Sequence, residues 1–421
     1  MYPSWLCAAL SARSHSSSLV IDADSSGSLS LFINGEQWLK SSSAAPWLHS
    51  GWLRHTLTLV SYRNSSGSTP GLGVYTARSW AWSQPDTSCP IMMTTELRAY
   101  AAHPDAAVLV QSFPCGVQSI YSSSWLASGW PSFQEAPSRH LSWATFNGPF
   151  AGEVDRGVGL RSCKVAVQGG TPIILHDQAS KTALVVSQLS RFKTGEMDCT
   201  GQLAFGLKGT LKGIPQGFEA TWVLQAGQGI TRTMEQWGSL LLRRGGKDRI
   251  SVYGDEIISS LGYWTDNGAY YHYPVTGPTT RAGGYQTEVS RVHEANRADA
   301  LPFRHWQLDS WWYQKGQGGN GSSRGSGPIG PSLGVFEWVS DPFVFPDGGL
   351  PAVQRRVGLP FVLHNRWFAH NNSYLQRGIP ASGWTAAAGG VNGSWLALGV
   401  LPLDQPAFWK YFFEQQANTH D

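Results

Sequence analysis

The segment Phe303-Arg304-His305-Trp306-Gln307-Leu308-Asp309-Ser310-Trp311-Trp312-Tyr313 constrains the fold of this chain more than any other. An apolar run ends in one carboxylate, and three aromatic rings follow almost at once. Two sister segments frame it. Leu261-Gly262-Tyr263-Trp264-Thr265-Asp266-Asn267-Gly268-Ala269-Tyr270-Tyr271 precedes it, and Leu359-Pro360-Phe361-Val362-Leu363-His364-Asn365-Arg366-Trp367-Phe368 follows it. Each is a short apolar stretch closed by polar and aromatic residues. Strands of a βα barrel present polar groups in this way at their C-terminal ends. The chemistry at those ends suits a sugar ring, because a carboxylate accepts hydroxyl hydrogen bonds and indoles cover the apolar C–H face.

The spacing between these segments is helical. Gln286 to Ala300 places Val289, Val292 and Asn296 in register and leads into the Phe303 strand. Gly348 to Val357 is a short helix before the Leu359 strand. Pro406 to Gln416 is a third, with Pro at its start. Strand and helix in alternation predict parallel βαβ units, with no antiparallel sheet between 258 and 368. Residues 316–330 form a Gly/Ser-rich insertion, read as a mobile loop or as low-complexity padding.

Residues 18–230 have a different pattern. Short alternating runs recur between Gly, Ser, Pro and Asn clusters. Ser28 to Ile33 runs into Asn34-Gly35 and then Glu36 to Leu39, a strong hairpin signal. Further strands are expected at His55–Tyr62, Ala106–Phe113, Thr171–His176, Ala183–Leu189 and Glu219–Gln225. So many strands imply a large sandwich. Thr231 to Arg244 is the first helix. Thr233 and Gln236 have capping-box spacing, Met234, Trp237 and Leu241 share a face, and Gly245-Gly246 ends it. The expected organisation is a disordered N-terminus at 1–17, a β-sandwich at 18–230, a linker helix at 231–254 and a partial (β/α) barrel at 255–421.

Composition narrows the function classes. The chain is 41% hydrophobic and 14% charged, which excludes disorder as its dominant state. Its 20 Trp serve either as core filling or as carbohydrate contacts. Net charge is +3 with scattered basic residues, so neither nucleic acid nor an anionic membrane is an expected partner. No run of about 18 apolar residues predicts a membrane span. Met1 to Leu10 lacks the basic and apolar regions of a signal peptide. The five cysteines, Cys7, Cys89, Cys115, Cys163 and Cys199, have no metal-ligand spacing and are expected as buried free thiols. His293-Glu294 is not a zinc helix motif, because Arg297 stands where the second His would be. No cofactor or metal is expected. Asn-x-Ser sequons occur at Asn64, Asn320, Asn371 and Asn392, although so Ser-rich a chain also produces them by chance.

The order of a large N-terminal β domain, a helix and then a barrel resembles clan D glycoside hydrolases of the α-galactosidase and raffinose-synthase type. Trp264-Thr265-Asp266 resembles the family's first-strand Trp-x-x-Asp pattern, with different spacing. Leu308-Asp309-Ser310-Trp311 resembles the end of its second strand. Phe345-Pro346-Asp347-Gly348-Gly349-Leu350 is similar to its Phe-Pro-x-Gly-Leu stretch, with one extra residue. Ser28 to Leu39 resembles its opening hairpin.

The resemblance implies that Asp309 and Asp266 bind sugar hydroxyls, with Trp264, Trp311 and Trp312 beside the ring. His364 and Arg366 depart from the family pattern and complete the expected substrate site. Other readings of the same residues stand beside these. Asp266-Asn267-Gly268 fits an ordinary turn, Trp312 fits a core position, and His364 fits a buried neutral histidine.

The family is a retaining one, which needs two carboxylates about 5–5.5 Å apart. Those come from its fourth and sixth barrel strands. Residues 255–421 fall short of the roughly 250 residues of a complete barrel, so the catalytic pair is expected to be missing. The expected partner is an oligosaccharide or glycoside. The chain then reads as a glycoside hydrolase-like protein, or alternatively as a non-catalytic carbohydrate-binding protein or an inactive fragment.

Overall fold

The computed structural model describes residues 19–84, 88–120, 122, 126–146, 154–168, 170–249, 252–265, 284–309, 312–315, 335–365, 372–376 and 406–420. The chain divides into two units, Met1–Arg249 and Ile250–Asp421.

The first unit is built from antiparallel strands. The expected hairpin pairs Leu29–Ile33 with Glu36–Ser41. Its turn residues Asn34 and Gly35 have φ of 54° and 80°, the left-handed geometry that matches strand twist. Leu29, Leu31 and Ile33 alternate inward and are buried. This hairpin belongs to a seven-stranded sheet. A nine-stranded sheet runs in the order Val154–Val158, Ser142–Phe146, Ile173–Asp177, Thr182–Gln188, Phe218–Gln228, His103–Phe113, Met93–Tyr100, Gly73–Ser83 and Thr58–Thr69.

The two sheets share one hydrophobic cluster. Trp38, Phe133 and Phe205 enter it from the first sheet, and Trp80, Leu109 and Trp222 from the second. Gln111, fully buried, ties the layers together. Its Nε2 donates to the carbonyls of Trp130 at 2.7 Å and Phe205 at 2.8 Å, while its Oε1 accepts from Ser128 Oγ at 2.8 Å.

Helix Ile230–Arg244 covers part of the nine-stranded sheet. Trp237, Leu240 and Leu241 pack against Val223, Leu189, Tyr100 and Val108, and Trp237 Nε1 donates to Ser187 Oγ at 2.8 Å. Leu240, not Met234, completes this contact. The capping box does not form. The helix starts at Ile230 with Gly229 as its cap, which places Thr233 within the first turn, where its hydroxyl donates to the Gly229 carbonyl at 2.6 Å.

Two other expectations are corrected here. His55–Tyr62 is not one strand. Leu57, 2% exposed, breaks it by turning its N–H to the Pro46 carbonyl at 2.9 Å. Leu53–Thr56 then pairs with Trp47–Ser50 in a small separate sheet, and Thr58–Thr69 joins the nine-stranded one. Four cysteines are paired and not free: Cys89 with Cys115 and Cys163 with Cys199, with Cα separations of 6.2 and 5.5 Å. The partners lie 26 and 36 residues apart, a distance that only the tertiary fold closes. Cys7 lies outside the described residues.

The second unit holds a parallel sheet in the order Leu261–Trp264, Phe303–Leu308, Phe361–Leu363. Helices Gly284–Ala298 and Gly349–Val357 are the crossovers between these strands. The central strand is flanked on both sides, and His305, Trp306 and Leu308 are buried, as a central parallel strand requires. Gly262 fits because a Cβ there would collide with the His305 ring. The core joins Trp306 and Leu308 to Tyr285 and Val289 of one helix and to Leu350, Val353 and Val357 of the other. The Phe345-Pro346-Asp347 stretch is locked to the first helix: Gln286 Nε2 donates to Asp347 Oδ2 at 3.1 Å, and Asp347 N–H returns to Gln286 Oε1 at 3.3 Å.

Not all of this unit is parallel. Tyr313–Lys315 and Val335–Ser340 form an antiparallel pair on either side of the Gly/Ser-rich insertion. The alternation in Val335-Phe336-Glu337-Trp338-Val339 was its signal, with Val335 and Glu337 buried on one face. The insertion itself, 316–330, lies outside the described residues.

Candidate functional site

Parallel pairing brings three distant sequence positions to one edge. In register, Trp264 lies beside Gln307, and Leu308 lies beside Leu363. The next residues, Thr265, Asp309 and His364, therefore stand together at the C-terminal ends of the strands. The ladder holds them there. Thr265 N–H donates to the Gln307 carbonyl at 3.2 Å, and His364 N–H donates to the Leu308 carbonyl at 3.0 Å. Asp309 N–H leaves the ladder and donates to Thr265 Oγ1 at 3.0 Å. Thr265 is fully buried, and its hydroxyl also meets Tyr285 OH at 3.3 Å.

Asp309 Oδ1 stands 3.8 Å from His364 Nε2, with side chains 15% and 26% exposed. That separation is too long for a direct hydrogen bond. The pair is partly covered yet reachable from solvent, and it offers acceptor oxygens beside an imidazole. Such a pair can hold hydroxyl groups between them.

Two indoles fix the backbone beneath the imidazole. Trp312 Nε1 and Trp338 Nε1 both donate to the His364 carbonyl, at 3.0 and 3.1 Å. The two rings meet edge to face at 5.2 Å. Tyr313 lies parallel to the His364 ring, with centroids 6.5 Å apart and planes 13° apart. Trp338 is backed in turn by Phe412, stacked at 5.5 Å. Tyr374 OH accepts the Trp338 backbone N–H at 3.1 Å. The His364 position is thus held by aromatic residues from four chain segments.

Of the residues singled out in the sequence, Asp309 and His364 come together. Trp312 is in the core at 1% exposure, and Trp264 is 53% exposed at the end of the first strand. Asp266, Trp311 and Arg366 lie outside the described residues. Thr265, Tyr285 and Trp338 were not singled out. Thr265 sits between Trp264 and Asp266, two residues with more conspicuous chemistry. Trp338 lay in an alternating run beyond the insertion. Among the described residues, no group of three or more His, Cys, Asp or Glu is placed to hold a metal ion.

No protein-family model matches the chain, and no curated protein matches it by sequence. Solved structures do. The α-galactosidase from Lactobacillus brevis is similar with a TM-score of 0.51 and 12% identity, over 96% of this chain and 61% of that one. A GH36 α-galactosidase from Geobacillus stearothermophilus follows at TM-score 0.48 and 13% identity, over 91% of this chain and 52% of that one. An α-N-acetylgalactosaminidase from Bifidobacterium bifidum has TM-score 0.48 and 9% identity, over 83% of this chain and 58% of that one. At 12% identity the likeness to the Lactobacillus brevis enzyme is one of fold alone. The chain spans only 61% and 52% of the length of the first two.

Proposed function

We propose that this chain is a glycoside hydrolase-like protein that takes an α-galactoside at the C-terminal ends of its parallel strands. The observation that carries the proposal is the placement of Asp309 and His364 side by side at those ends, partly open to solvent. Asp309 accepts hydroxyl hydrogen bonds. His364 supplies a second polar edge, and Trp264, exposed at the neighbouring strand end, covers an apolar sugar face. In this reading Trp312 and Trp338 hold the His364 backbone in place. Asp266, Trp311 and Arg366, adjacent in sequence to the same strand ends, add further contacts. The three parallel strands are the opening arc of a (β/α)8 barrel, and the large sheets are a β-supersandwich of the same family. Similarity of fold to an α-galactosidase supports the choice of sugar class.

Among the described residues at the three strand ends, Asp309 is the one carboxylate. A retaining mechanism needs a second about 5–5.5 Å away. The proposal is therefore one of recognition and assigns no nucleophile. Calorimetry with methyl α-galactoside and with raffinose tests it, together with an assay for released galactose. Saturable binding without release is the expected result. Absence of binding to both sugars overturns the proposal. Binding with release would turn recognition into catalysis and require a second carboxylate.

A further inference from the structure

We infer that this protein matures in an oxidising secretory compartment and carries an N-linked glycan on Asn64. Two independent observations meet here. The first is covalent. Cys89–Cys115 and Cys163–Cys199 have Cα separations of 6.2 and 5.5 Å, within the range a disulfide spans. Structural disulfides form and persist where the surroundings are oxidising, and cytosolic reductants remove them. The two cystines carry the compartment assignment.

The second observation is the setting of Asn64. Asn64-Ser65-Ser66 is an acceptor triplet for N-linked glycans. Of the four such asparagines, it is the one that lies within the described residues. It sits on Thr58–Thr69, the edge strand of the nine-stranded sheet, which among the described residues pairs only with Gly73–Ser83. Every residue from Thr58 to Ser66 is exposed, so a bulky substituent displaces no packed atom. By contrast, the triplet that ends at Ser373 has both Asn372 and Ser373 buried, at 0% and 4% exposure.

The Asn64 amide is also oriented for the modification. Tyr62 OH donates to Asn64 Oδ1 at 2.9 Å, so that bond engages the amide oxygen and not Nδ2. Glycosylation uses Nδ2. The nitrogen bonds to the anomeric carbon of an oligosaccharide carried on a polyprenyl pyrophosphate. The C–O bond to the pyrophosphate breaks, the pyrophosphate leaves with the electron pair, and the nitrogen releases one proton. The amide oxygen keeps its lone pairs, so the Tyr62 contact survives. A glycan there also blunts a long exposed edge strand, which is otherwise open to pairing with another chain.

The test is peptide mass spectrometry on the protein purified from its source organism. Peptide N-glycosidase in heavy-oxygen water should convert Asn64 to labelled Asp. Asn64→Gln and Ser66→Ala variants, expressed in the same organism, should both lose the glycosidase-sensitive mobility shift contributed by this site. Alkylation without reductant should leave Cys89, Cys115, Cys163 and Cys199 unlabelled. An unmodified Asn64 peptide overturns the glycan, and alkylation of those four thiols overturns the compartment.

Discussion

The nine-stranded sheet of the first unit and the three-stranded sheet of the second use β structure in opposite ways. In the first, His103–Phe113 and Phe218–Gln228 are 11 residues each and pair along most of their length. Thr182–Gln188 is buried at every position. Such strands spend their residues on pairing and burial, and their ends are turns. In the second, the strands are 4, 6 and 3 residues long. Each stops on reaching the sheet edge, and the next residue is a polar one. The difference teaches where chemistry can sit. Long antiparallel ladders make a rigid layer, whereas short parallel strands deliver side chains from distant sequence positions to one edge.

The comparison breaks first in the cores. Phe205→Ala removes a fully buried ring that meets Phe133 at 6.1 Å and Trp222 at 6.3 Å. It should cost about 3–5 kcal/mol, read in denaturant melts. Hydrogen exchange should show protection lost along the first unit's long ladders. Trp306→Ala should cost a similar amount and expose the second unit's parallel strands. Equal protection in the two unsubstituted sheets would remove the contrast drawn here.

Reduction of the disulfides is next. Both lie in the first unit and close loops of 26 and 36 residues. Removing either, as Cys89→Ala/Cys115→Ala or as Cys163→Ala/Cys199→Ala, should destabilise that unit by roughly 2–4 kcal/mol. Unchanged melting after reduction would show that its sheets alone carry its stability.

Asp309→Ala sharpens the other half of the comparison. In the proposed reading, it removes hydrogen bonds to sugar worth roughly 1.5–3 kcal/mol each. Affinity for methyl α-galactoside should fall by at least about tenfold, with the melting transition unmoved. An unchanged affinity would take the sugar away from these strand ends.

The smallest effect is that of pH. Burial holds His49, His103 and His293 below the usual imidazole value of 6.5. Nearby Arg54 and then His55 add to this at His49, Arg243 at His103 and Arg297 at His293, while Glu294 opposes it at His293. A histidine depressed in the folded state binds its proton more readily when unfolded. Stability is therefore full above about pH 6.5 and declines as pH falls below it, in both units. Melts that do not change from neutral pH to about one unit below 6.5 would contradict this.

Local signals carried much of the architecture. The Asn34-Gly35 hairpin, the long alternating runs and the helices after Gln286, Gly348 and Pro406 were legible because propensity and periodicity act over a few residues. Asp309 and His364 were legible because polar residues at the ends of apolar runs are conspicuous. Apart from the helix start at Gly229, what failed was decided at long range. The cystines depend on residues 26 and 36 positions apart meeting in space. The break at Leu57 depends on a carbonyl at Pro46. The antiparallel pair depends on two short runs finding each other across a Gly/Ser-rich insertion.

The candidate site divides along the same line. That a carboxylate at Asp309 and an imidazole at His364 would each end a short strand follows from the order of apolar and polar residues along the chain. Their 3.8 Å separation and the two indole N–H groups on one carbonyl do not follow from that order. Nor does the Thr265 hydroxyl beneath Asp309. Those depend on parallel register and on aromatic residues arriving from Trp312, Trp338, Tyr374 and Phe412. Register and packing are properties of strands and side chains in contact, and no window along the chain contains them.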